Sequence, residues 1–456
     1  MTQFRFNLKP KKVKLIKTSN RTIQTKLPVP QSLKILKKLK KYESSNAVEQ
    51  LPVIWDRAIN DKIYDPYGNC WIDFTSSIFV TNTGHGNKEI LKQIKKILNK
   101  PLLHSYYYPT IIRKNFLQAL LKIVPKKLDK AILLSAGTEA TERAIKITKI
   151  YGLNFKKEKK YIISWEGNYH GKTLNAQMLS GQFKDHLWIR NFDKNIIHLP
   201  FPYPWILDRN SESGKKLFYK HLNLLKKKKI LLSQIAGFFL ESFQGYGAIF
   251  YPKDYVSEVA KFAKKNKSLL IFDEIQAGFY RTGKLFGFQH YNVIPDLVIC
   301  GKGISGSLPL SAVIGKSKYI NLDSAYTSTH GGHPLSCAAG LGNLIFMSKK
   351  KFLKDIKIKS VIMKNTLDEW KQKYPDRIKY VLGKGMIYGI FIFKKNENEL
   401  DDLIVNKICE KAMQKGVFSI CTGRGTIKLG PPLTISKSAL IEGLNVYDEC
   451  FKELFI

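Results

Sequence analysis

No apolar run in the chain comes near the ~18 residues that a membrane-spanning helix requires. The most continuous one, starting at Ile235, meets Glu241 almost at once. This argues against a spanning segment, and no membrane partner is expected. Cysteine is scarce, and the six residues Cys70, Cys300, Cys337, Cys409, Cys421 and Cys450 show no CxxC spacing. That excludes a disulfide scaffold and predicts free thiols in a reducing, cytoplasmic setting. Acidic residues are also in short supply: 36 Asp and Glu face 76 Lys and Arg, for a formal net charge of +40. Such an excess suits a polyanion binder, because each neutralised phosphate releases counterions. Yet only ten of the basic residues are Arg and 66 are Lys, although Arg is the better fork for phosphates and base edges. Lysine spread over solvated faces is the plainer reading, and no nucleic-acid partner is expected.

What is present is core-forming material. With 44% hydrophobic and 12% aromatic residues in 456, the chain is globular rather than disordered, and at ~100–200 residues per domain it is long enough for several structural units. Thirteen basic residues (Arg5, Arg21 and eleven Lys) and no acid precede Glu43. A transit peptide is one reading of them, but few are Arg and Ser is sparse, so residues 1–50 are expected to form a solvated or subunit-draping arm with a short amphipathic helix over 33–41. Residues 51–109 hold a hairpin around Asp65 Pro66 Tyr67 Gly68 Asn69 and then a basic amphipathic helix, and are expected to contribute to a small domain and an active-site entrance.

From 110 to 345, helical patterns alternate with short apolar runs at 131–134, 161–164, 237–240, 269–272, 297–300 and 311–314. Continuously apolar strands separated by helices predict a mostly parallel sheet covered on both faces, an α/β domain. Residues 346–456 predict a smaller α+β domain. In parallel sheets ligands sit beyond the carboxyl ends of the strands, so the residues following each run carry the functional information.

Two strand ends mislead. Asp273 Glu274 resembles the acidic end of a nucleotide-hydrolase strand, but the only near match to a phosphate loop, Gly278 to Lys284, follows it and ends on Leu285, where a hydroxyl is needed. Gly301 Lys302 Gly303 Ile304 Ser305 Gly306 fits GxGxxG, with Asp323 about where a ribose-binding acid is expected. The following Leu308 Pro309 Leu310, however, leads to another strand and not to a helix N-terminus.

What remains is a lysine and an acid on one sheet edge. Lys302 lies among small residues, where desolvation would lower its pKa and make it a Schiff-base nucleophile; the alternative is a solvated loop lysine. Asp273 has the chemistry to keep the ring nitrogen of pyridoxal phosphate protonated as an electron sink. Ser135 Ala136 Gly137 Thr138 Glu139 follows a strand and opens a helix, which suits either a phosphate cradle or a plain cap.

With these residues in order, the chain resembles the class III aminotransferases, a subgroup of the fold-type I pyridoxal phosphate enzymes, over roughly residues 50–455. The resemblance is carried by Gly84 His85 Gly86, the 135–140 segment, Tyr169 His170 Gly171 Lys172 Thr173, Glu241 Ser242 Phe243 Gln244 Gly245, the 273–283 segment, and Lys302 with Thr329 His330 Gly331 Gly332. It implies a large sheet domain plus a smaller α+β domain, pyridoxal 5'-phosphate as cofactor, and a ping-pong transfer of an amino group to a 2-oxo acid. In it Lys302 is the Schiff-base lysine, Asp273 the partner of the ring nitrogen, Gln276 a donor to the phenolate oxygen, Tyr169 the stacking ring, and Gly137 and Thr138 the phosphate ligands. Thr329 would reach the phosphate of a neighbouring subunit in a homodimer. His170 is as readily an orienting residue as a proton carrier. The substrate residues implied are Glu241 and Lys428; Lys428 stands where many relatives carry an Arg, and because an ammonium is a point charge, not a planar fork, carboxylate recognition is expected to weaken or to shift to nearby Arg424. His333 stands where Asn is common. An aminomutase, a dialkylglycine-type decarboxylase, or a non-enzymatic polyanion binder on the same fold are the other activities this pattern allows, and no metal is implied.

Overall fold

The protein, described here by a computed structural model over residues 6–44, 51–210 and 213–455, divides into two units. One comprises residues 88–245 and 249–348, the other residues 1–87, 246–248 and 349–456. Arg5 and the last residues of the expected arm, 45–50, lie outside the described residues.

The first unit is built on a seven-stranded sheet in the order Lys130–Leu134, Ser311–Gly315, Leu297–Cys300, Leu269–Asp273, Ile235–Glu241, Tyr161–Trp165, Ile196–Leu199. Every pairing is parallel except the two made by Ser311–Gly315. Six of the seven strands fall on the expected apolar runs, and Leu269–Asp273 and Ile235–Glu241 are buried along their whole length, as strands covered on both faces must be. The helix Gly137–Leu153 packs on this sheet through Ala144, Ile145 and Ile147. It comes close because Gly237 has no Cβ; one there would meet Thr148 Cγ2 at 2.9 Å. The edge strand Ile196–Leu199 was not expected. It has one neighbour, and Ile197 and His198 are half-buried, so the apolar run that marks a central strand is broken.

The second unit holds a sheet containing the expected hairpin, Lys62–Tyr64 against Cys70–Asp73, and a four-stranded antiparallel sheet that includes Ile387–Ile392 and Thr426–Leu429. The N-terminal arm is a correction. Residues Ile16–Lys17 and Thr22–Ile23 pair as strands of the first of these sheets, and Ile23, Leu27 and Val29 are buried against Trp71 and Met413. Arg21 adds an ion pair to Glu442 at 2.7 Å. Single apolar residues between lysines have no periodicity to read, so this anchoring escaped the sequence pattern. The helix Pro30–Tyr42 forms as expected, with Ser32 its one buried residue.

Lys359 shows how this unit holds its carboxyl-terminal part. Its ammonium is buried and donates to the carbonyls of Leu433 and Ile435 at 2.7 and 2.9 Å and to Asp355 at 2.5 Å. Lys359→Met removes the donor and leaves two carbonyls behind, so a loss of about 1–3 kcal/mol is expected in urea unfolding. An unchanged midpoint and slope would show that these bonds contribute nothing net. Among the described residues no helix is long and apolar enough to cross a membrane, and the six cysteines are free thiols.

Candidate active site

The parallel register creates the site. Asp273 and Glu241 are the last residues of adjacent strands and direct register partners, and Asp273 is likewise paired with Ile299 of Leu297–Cys300. Lys302 follows that third strand by two residues, so three charged side chains leave one sheet edge side by side. Lys302 has a left-handed backbone, φ +42°, a conformation in which a non-glycine residue is strained and which clusters at functional sites. Gly301 before it is tight against Ile275 and Gly137; a Cβ there would meet Ile275 Cγ2 at 3.2 Å and Gly137 Cα at 3.4 Å. That close approach sets the backbone preceding Lys302 next to the start of the Gly137–Leu153 helix. Burial lowers the Lys302 pKa, while Asp273 and Glu241 pull it back up. The amine is therefore easier to deprotonate than a solvated lysine, as a nucleophile requires.

Asp273 is held from two sides. Its Oδ2 lies 2.8 Å from His170 Nδ1, and its Oδ1 accepts from the Ile275 N–H at 2.9 Å. His170 is itself buried, donates its backbone N–H to Ser180 Oγ at 2.8 Å, and has Nε2 3.5 Å from Ser164 Oγ. This makes His170 the residue that orients the acid, the role left open by the sequence. Next to it, the Tyr169 N–H donates to Glu241 Oε2 at 2.9 Å, and Tyr169 as a residue is 39% exposed. Gln276 reaches the same neighbourhood: a Cβ on Gly245 would meet Glu241 Oε1 at 3.0 Å and Gln276 Nε2 at 3.4 Å.

The helix N-terminus brings two hydroxyls together. Thr138 Oγ1 and Thr173 Oγ1 are 2.7 Å apart, and Thr173 is tied to Glu142 at 2.6 Å. Thr173 closes the Tyr169 to Thr173 motif, and only the fold brings its hydroxyl beside that of Thr138. The GxGxxG decoy resolves as expected: the chain enters a short turn, Lys302–Ile304, and then the strand Ser311–Gly315, while Asp323 pairs with Arg143 and Lys146.

Thr329 is exposed on the loop that precedes the helix Pro334–Met347. Lys428 and Arg424 belong to the other unit. Lys428 is buried in Thr426–Leu429 with its ammonium 4.8 Å from the Phe79 ring centroid, and Arg424 lies 4.9 Å from that of Tyr246.

Glu241 has a measurable consequence. Burial raises its pKa from 4.5 to about 7, with His170 opposing and Asp273 adding to the rise. Glu274 is pushed to about 7 as well, again by burial, against bonds from Ser242, Gly287 and Phe288. A carboxyl whose pKa is higher folded than unfolded binds more protons in the folded state, so stability falls as pH rises through that window. Glu241→Gln is expected to flatten the decline in unfolding free energy between about pH 5 and 7, leaving the share due to Glu274. An unaltered slope in urea unfolding at fixed ionic strength would show that Glu241 does not carry this proton.

A part-buried lysine, an acid fixed by histidine, an exposed tyrosine and a helix N-terminus with hydroxyls, all at the carboxyl edge of one mostly parallel sheet, define a fold-type I pyridoxal 5'-phosphate enzyme. The chain belongs to the aminotransferase class-III family, whose match spans residues 43–451. It is 29% identical to the acetylornithine aminotransferase of Clostridium acetobutylicum over 89% of this chain and 98% of that one. It is 28% identical to the 4-aminobutyrate aminotransferase of Mycobacterium leprae over 94% and 97%. A crystal structure of an (S)-enantioselective omega-transaminase from Thermomicrobium roseum superimposes with a TM-score of 0.84 at 22% identity, covering 93% of this chain and 99% of that one. The protein is thus an enzyme of the transferase type that uses pyridoxal 5'-phosphate, an amino donor and a 2-oxo acid. The residues present fit that cofactor: an amine for its aldehyde, an acid for its ring nitrogen and N–H groups for its phosphate.

Proposed function

We propose that the protein is a homodimeric ping-pong transaminase that takes nitrogen from an omega-amino acid or amine of the 4-aminobutyrate type and gives it to a 2-oxo acid. The observation that carries this reading is the Lys302 amine, with its lowered pKa, beside an Asp273 held by His170 at 2.8 Å. When bound, pyridoxal phosphate supplies an electron sink for the carbon that loses its proton. In our reading Lys302 forms the covalent attachment and moves that proton, and Asp273 keeps the ring nitrogen charged. Gln276 donates to the phenolate oxygen, Tyr169 covers the ring, and Gly137 and Thr138 hold the phosphate, with Thr173 as a further hydroxyl. Thr329 serves the phosphate of the second copy. Glu241, Lys428 and Arg424 meet the substrate carboxylates, an assignment that rests on motif position. The omega-amino donor is supported by the likeness to enzymes named for acetylornithine and 4-aminobutyrate, and a reducing cytoplasm by the free thiols.

The test is a screen of amino donors against pyruvate and 2-oxoglutarate with both products identified. Paired aldehyde or ketone and amino acid support the reading. Released CO2 would make the enzyme a decarboxylase, and a rearranged substrate with no second oxo acid an aminomutase. A strong 2-oxoglutarate preference that survives Lys428→Ala would remove Lys428 from the carboxylate site.

A further inference from the structure

The carboxylate of Glu139 stands at a junction of two functional loops. Its Oε2 accepts the backbone N–H of Ser135 at 2.9 Å and, more weakly, that of Ala136 at 3.4 Å. Its Oε1 accepts the Ser328 hydroxyl at 2.7 Å, across 189 residues of sequence. Every N–H of a helix's first turn needs a partner outside the helix. Glu139 takes the N–H groups of Ser135 and of the N-cap Ala136, just ahead of that turn, and leaves Gly137 and Thr138 as the next donors, aimed where the helix dipole favours an anion. The anchored Ser328 immediately precedes Thr329, which is exposed. The same loop is pressed onto the sheet, since a Cβ on Gly331 would meet the Leu133 carbonyl oxygen at 2.4 Å. Upstream it is pinned again: Arg143, on the same helix as Glu139, pairs with Asp323 and has its guanidinium 4.3 Å from the Tyr326 ring centroid.

We infer that Glu139 is a positioning residue which couples the phosphate cradle to the Thr329 loop, so that one carboxylate sets both the donors offered to a phosphate and the place where Thr329 is presented. This rests on the phosphate reading given above. Glu139 does not touch the ligand. It acts through the two segments it ties, and a cap that merely stabilised the helix would affect every ligand of the site alike.

The experiment is a titration of cofactor-stripped full-length protein with pyridoxal 5'-phosphate and, separately, with pyridoxal, which lacks the phosphate, followed by calorimetry. Glu139→Gln keeps one acceptor oxygen and loses the other, and is expected to weaken the phosphorylated ligand about tenfold, the scale of one charge-assisted hydrogen bond, while leaving pyridoxal unchanged. Ser328→Ala, which removes only the loop contact, is expected to shift the phosphorylated ligand in the same direction by a smaller factor. Equal weakening of both ligands by Glu139→Gln, or a Ser328→Ala protein that binds both ligands as the unsubstituted one does, would overturn the coupling. Should Glu139→Gln fail to fold, the Ser328→Ala result decides alone. Borohydride labelling of Lys302 in the unsubstituted protein is the control: its failure breaks the functional reading, whereas successful labelling with unselective variants sinks only the role of Glu139.

Discussion

Lys302→Ala is expected to abolish borohydride-stable labelling by pyridoxal phosphate and to lower transamination by at least roughly 10²–10⁴-fold, the contribution of a positioned proton carrier alone. The lysine is asked to do two things that a substitute cannot share out. In the proposed function its amine makes the covalent attachment, and its position at the strand end lets it carry the proton of the substrate carbon. Burial makes both cheaper by favouring the neutral amine, and the two nearby carboxylates limit that effect. A guanidinium stays protonated and has no free amine to attack an aldehyde, so Lys302→Arg, which keeps the charge, is expected to be as inactive as Lys302→Ala. Peptide mapping of the reduced protein checks this. A label that persists at the same site in Lys302→Ala would mean that another of the 66 lysines is the nucleophile.

Asp273→Asn is expected to cost on the order of 10²–10³-fold in turnover, comparable with removing a preorganised electrostatic partner from a developing charge. The amide has the same shape and keeps its contact with the Ile275 N–H, so cofactor should still bind. What is lost is the negative charge that, in the proposed function, holds the ring nitrogen protonated. His170→Asn is expected to give a smaller loss in the same direction, because His170 acts on the acid's orientation through its 2.8 Å contact and not on the ring. The absorption spectrum of the bound cofactor against pH separates the two: Asp273→Asn should shift it and His170→Asn should barely do so. If Asp273→Asn retains full turnover, the acid is structural.

The sequence made the central strands visible because burial on both faces leaves no room for polar residues, and the runs at 269–272 and 297–300 are observed as Leu269–Asp273 and Leu297–Cys300. It made Lys302 and Asp273 visible for a related reason: a charged residue directly after such a run has to stand at the sheet edge. The edge strand Ile196–Leu199 and the packed arm were hidden, since half-buried strands and scattered apolar anchors carry no period.

Composition, apolar runs and the motifs at strand ends thus determined the α/β class, the family resemblance and which lysine among many stands at a strand end. Which side chains meet was decided by the tertiary structure. His170 and Asp273 are 103 residues apart in sequence, and Ser328 and Glu139 are 189 apart. Neither pair leaves a local signature, because a hydrogen bond across the fold depends on how strands register and loops return, while periodicity records only the neighbours of each residue along the chain.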